Sequence, residues 1–152
     1  MKQGPDMDAV QEQMRPGRIT LEGFLGDDQR KLVEVLNENA AMLSSAGVGA
    51  RELAARMADL RDLGRPGLGT PVEAPGGLQV LVETDRGKLP CPFGDPGLHR
   101  KTITLVRNAR GEEVSYTDLG IHMLEAHGFL QGLGSPYRID PVTFARVLGI
   151  AE

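Results

Sequence analysis

Apolar residues in the first third of the chain recur at helical spacing. In DQRKLVEVLNENAAMLSSAG, opened by Asp27 or Asp28 as N-cap, Leu32, Val35, Leu36, Met42 and Leu43 share one stripe, with Lys31, Glu34 and Glu38 off it. The pattern predicts an amphipathic helix ended at Gly47. In ARELAARMADLRDLG, Leu53, Met57, Leu60 and Leu63 repeat the period, Gly64 supplies a stop, and Pro66 bars continuation. The link at Gly47–Gly49 is short, so the two segments predict an antiparallel helical hairpin over 27–64.

Period and composition change at GRPGLGTPVEAPGG. Its Gly and Pro content bars helix and central strand alike, which makes 65–77 a linker. Beyond it the alternation is that of strands: Leu78, Val80 and Val82 share one face, Ile103 and Leu105 lie opposite Thr102 and Thr104, and Val114 pairs in parity with Tyr116. NARGE between the last two strands reads as a tight hairpin with Gly111 in the left-handed position. Thr117 or Asp118 caps a short helix ended by Gly128. Asp140-Pro141 opens another, carrying Phe144, Val147 and Leu148. Helices followed by antiparallel strands imply an α+β fold, in which the helical hairpin packs with a small, mainly antiparallel sheet and two short C-terminal helices. Residues 1–26 hold too few apolar positions for more than a flexible or loosely docked segment. The division is then 1–26, the hairpin 27–64, the linker 65–77, and 78–152 with the sheet and last helices.

Composition narrows the function classes. A chain of 152 residues with 40% hydrophobic residues supports an ordinary core, but aromatic content of 4% and no Trp leave few stacking surfaces for bases. A net charge of -4 speaks against a nucleic-acid partner. The apolar runs are too short to cross a bilayer, residues 1–17 have no apolar leader, and a single cysteine forms no intrachain disulfide. These features lead us to expect a cytoplasmic protein without a membrane partner.

Chemistry concentrates in CPFGDPGLHR and DLGIHMLEAHGF. Cys91, His99, His122 and His127 form a soft and borderline donor set that suits tetrahedral zinc. Pro90 and Pro92 stiffen the loop that presents the sulfur. His122 and His127 are five residues apart, roughly 140° around a regular helix, so a shared site requires the last turn to distort at Gly128. The bland alternative for His127 is a core-facing imidazole among Leu119, Met123 and Leu124. Asp118, His122 and Glu125 line one stripe, making Asp118 and Glu125 candidate catalytic carboxylates or simply a solvated face. HMLEAH matches neither H-E-x-x-H nor H-x-x-E-H, so peptidase chemistry is not indicated. Arg100, Lys101, Tyr137 and Arg138 form a candidate anion-binding group beside a helix start.

Three functions stay open: a binding or regulatory module, with a protein or small-molecule partner, organised by one zinc ion; a small metal-dependent hydrolase or transferase with an open coordination position; and a metal-free interaction protein.

Overall fold

The computed structural model describes residues 2–150 as an α+β fold. The elements are α1 (Pro5–Gln13), α2 (Leu32–Ala46), α3 (Ala50–Gly64), a 3-10 turn (Arg65–Gly67), β1 (Val72–Ala74), β2 (Leu78–Pro90), β3 (Leu98–Arg107), β4 (Glu113–Thr117), α4 (Asp118–His127) and α5 (Pro141–Leu148). The strands form one antiparallel sheet in the order β1-β2-β3-β4. Among the described residues no helix is long and apolar enough to cross a membrane.

Register fixes which face of the sheet is covered. Val80 pairs with Val106, Val82 with Thr104, Val106 with Val114 and Thr104 with Tyr116. Burying Val106, Val114 and Tyr116 against the helices therefore carries Thr102 and Thr104 inward too, since alternate residues share a face. Ile103 and Leu105 stay half-buried on the outer face. The turned-in hydroxyl of Thr102 is 3.0 Å from that of Thr84, its cross-strand partner, so it is not stranded in an apolar layer.

Helix α3 is the main cover of the sheet, meeting β1, β2, α4 and α5. Its last residue, Gly64, lies so close to β2 that a Cβ there would be 2.5 Å from Val80 Cγ1. The Tyr116 hydroxyl donates to the Met57 carbonyl at 2.8 Å, tying β4 to the same helix through a fully buried ring.

Helix α2 packs on α1 and α5. Asp28 and Asp27 do not cap it; its N-cap is Lys31. The free amides of its first turn are met from α1's end of the chain: Leu32 N–H donates to Gln11 Oε1 at 3.0 Å and Val33 N–H to Gln3 Oε1 at 2.8 Å. Asp28 instead accepts from Arg30 and, at 3.2 Å, from the Leu133 amide.

A second apolar cluster lies apart from the core under the sheet. Met14, Phe24, Leu25, Leu32, Val35, Cys91, Leu119, Met123 and Phe129 build it. Helix α4 serves both clusters, turning Ile121 and Leu124 to the first and Leu119 and Met123 to the second. Residues before α2 are clasped to the loop after α4 by backbone hydrogen bonds, Gly132 N–H to Phe24 O at 3.0 Å and Asp27 N–H to Leu133 O at 2.8 Å. The clasp is tight enough that a Cβ on Gly132 would stand 2.2 Å from the Leu25 carbonyl oxygen.

Candidate metal centre

The loop between β2 and β3 begins with Cys91 and turns back on itself. Gly94 N–H donates to the Cys91 carbonyl at 3.0 Å, and Gly94 takes φ 88, where a side chain would be strained. The turn brings the Asp95 carboxylate to 3.7 Å from the Cys91 sulfur. From the other side, α4 delivers two imidazoles onto one carboxylate oxygen: His122 Nε2 is 2.8 Å and His127 Nε2 2.6 Å from Asp95 Oδ2.

Cys91, Asp95, His122 and His127 thus each offer a ligand atom, and all four atoms lie within 4.8 Å of one another. A tetrahedral site with bonds of about 2.0–2.3 Å has edges of about 3.3–3.7 Å, so an ion at the centre would require both nitrogens to move outward from Asp95 Oδ2. Cys91 is buried while the other three are part-exposed, which puts the group at the surface end of the second cluster.

His127 is the last residue of α4, and Gly128 follows in the left-handed conformation with φ 63. The helix therefore does not unwind before the second histidine. The angle between the two side chains is closed by their own reach, with rings 81° to each other and Asp95 between the two Nε2 atoms. Phe93 stacks on the His127 ring and meets Phe129 edge-on, so the orientation of that imidazole is set by aromatic packing.

Electrostatics match a cation site. Burial, with the nearby Asp95 charge, pushes the Cys91 thiol above its ordinary range, although the amides of Phe93 and Asp95 face the sulfur and favour thiolate. The histidines at Asp95, His127 first and then His122, hold its carboxyl below the ordinary range. One divalent ion would supply the positive charge that a thiolate and a carboxylate side by side require, and two neutral imidazoles would complete a site of zero net charge.

His99 is brought near but not into the group. It is the second residue of β3, pairs in register with Leu89, and lays its ring centroid 4.4 Å from that of His122. Its Nε2 is buried without a hydrogen-bond partner among the described residues, and burial, then the proximity of His122, lowers its pKa. The fourth residue of the converging group is Asp95, which counting cysteines and histidines overlooks. The signal for it is the C-P-x-G turn, which returns the residue after the glycine to the cysteine.

The remaining candidates separate. Asp118 is held by Arg61 at 3.2 Å and is 13% exposed, so its carboxylate is already engaged. Glu125 is exposed and shares an open polar hollow with Asp118, His122 and Arg61. Arg100, Lys101 and Tyr137 border one cavity on the other side of β3, whereas Arg138 lies apart from it, with Nη2 3.7 Å from the Met42 sulfur.

No protein-family model matches the chain, and no curated protein or solved structure does either.

Proposed function

We propose that the protein is a small binding or regulatory module whose C-terminal half is organised by one zinc ion held by Cys91, Asp95, His122 and His127. The observation that carries this reading is the convergence of the four donor atoms within 4.8 Å, drawn from a loop and a helix far apart in sequence. Mixed S, O and N donors at a part-buried surface site favour zinc over calcium or magnesium, which take oxygen cages. Four protein donors leave no coordination position for water, which supports a structural role over hydrolysis. The engagement of Asp118 by Arg61 also removes one of the two carboxylates that a catalytic scheme could use.

The test is metal analysis of protein purified without a metal-binding tag, followed by cobalt(II) titration of chelator-treated protein. We expect one equivalent of metal and a thiolate-to-cobalt charge-transfer band that Cys91→Ser abolishes. Substoichiometric metal together with no such band would overturn the proposal.

A further inference from the structure

A separate hollow of about 220 Å³ lies where the loop bearing Phe24 and the outer face of β2 and β3 meet residues 131–137. None of the four converging metal donors lines it. Its wall is mainly apolar: Phe24 and Leu119 are buried, and Ile103 and Tyr137 are half-buried. Gln131, only 3% exposed, also borders it. The Gln131 Oε1 accepts from Ser135 Oγ at 2.7 Å, while its Nε2 has no hydrogen-bond partner among the described residues. The backbone there takes φ 72, a conformation that residues other than glycine rarely adopt, so the fold holds this amide in place against a conformational cost.

Four charges of both signs ring the mouth. Arg100 and Lys101 are exposed cations, Asp85 and Glu22 exposed carboxylates, and none of them makes an ion pair among the described residues, even though Asp85 and Lys101 are cross-strand neighbours. A simple carboxylate would meet two anions there, and a simple amine two cations. A molecule carrying both charges finds a partner for each. The volume lies below the range of about 300–1,000 Å³ usual for larger organic ligands, so the apolar part must be short.

We propose that this hollow binds a small zwitterion with one apolar side chain, the chemistry of a free aliphatic or aromatic α-amino acid. The side chain packs against Phe24, Leu119 and Ile103. The carboxylate meets Arg100 and Lys101, with the Gln131 amide as an uncharged donor, and the ammonium meets Asp85 and Glu22.

The experiment is an NMR and calorimetric titration of the full chain, its metal content measured separately, with L-leucine and L-phenylalanine. The controls are 4-methylpentanoate, 3-methylbutylamine and glycine, which lack the ammonium, the carboxylate and the side chain respectively. Saturable binding of leucine or phenylalanine is expected, with amide shifts at Phe24, Ile103 and Gln131. Each control should bind at least about tenfold more weakly, and Lys101→Ala or Asp85→Ala should each weaken binding severalfold, as loss of one solvent-exposed charge pair does. Both substitutions are at exposed positions, and an unchanged melting temperature would show that the fold is intact. Absence of saturable shifts at these residues with millimolar leucine and phenylalanine, or equal binding of 4-methylpentanoate, would overturn the proposal.

Discussion

The ring of Phe93 lies flat on that of His127, with centroids 3.8 Å apart and planes 11° from parallel. A residue two positions after the loop cysteine thereby sets the direction of a helix-borne donor. Phe93→Ala should leave the fold but weaken metal affinity about 10- to 100-fold, the usual effect of losing a group that orients a ligand. Phe93→Tyr, which keeps the stack, should stay close to the parent. Competition against a chromophoric chelator measures both.

Asp95 and His99 make opposite predictions about the fourth ligand. If Asp95 coordinates, Asp95→Ala should lose stoichiometric metal as Cys91→Ser does, whereas His99→Gln should retain one equivalent with reduced affinity, since His99 acts only through its contact with the His122 ring. Retention of metal by Asp95→Ala, with loss in His99→Gln, would reverse the assignment.

The pairing of Asp28 with Arg30, supported by the Leu133 amide, lowers its carboxyl from 3.8 to about 2. A carboxyl with a depressed folded-state pKa contributes stability that is fully present above its unfolded value and is lost as the pH falls through its folded value. Urea melts should therefore show this contribution intact at pH 5 and disappearing between about pH 4 and pH 2. Asp28→Asn should cost about 1.5–3 kcal/mol at neutral pH, as removal of a charged hydrogen bond does, and nearly nothing at the acid end.

Gly64 offers a test of packing against propensity. At φ -83 an alanine would fit the backbone and gain about 1 kcal/mol of helix propensity. Its Cβ, however, would meet Val80 at 2.5 Å and Val82 at 2.9 Å, an overpacking that typically costs about 1–3 kcal/mol. Gly64→Ala should destabilise the protein, and Gly64→Ala with Val80→Ala should be less unstable than the sum of the two single changes. Equilibrium unfolding of the four proteins closes that cycle.

The elements with strong periodicity were readable from the chain because each buries one face, so their residue order carries the signal. That holds for α2 and α3 and for the alternation of β2. The parity of β3 was not, since ITL and TLV offer an apolar set on either face, and the choice was made by Val106 pairing with Val80 and Val114 across the sheet. Three residues of the candidate site stand out by type alone. Asp95 does not, being one carboxylate among many until Gly94 folds it back on Cys91. The zwitterion-sized hollow had no local signature at all, because Phe24, Ile103 and Gln131 meet there only through the tertiary fold.

The backbone clasp between residues 24–27 and 132–133 also bears on how the chain comes to be folded. Met14, Phe24 and Leu25 leave the ribosome well before their packing partners Cys91, Leu119 and Phe129. Until Phe129 has been made, these apolar groups lack part of their packing surface, and contacts of such long sequence separation close slowly. The last donor, His127, and the clasp at Gly132 emerge almost together. Were an ion held by the four donors, its capture and the docking of Met14, Phe24 and Leu25 would then be nearly simultaneous steps, and scarcity of metal would be felt first as a nascent protein with these apolar groups exposed to chaperones and proteases.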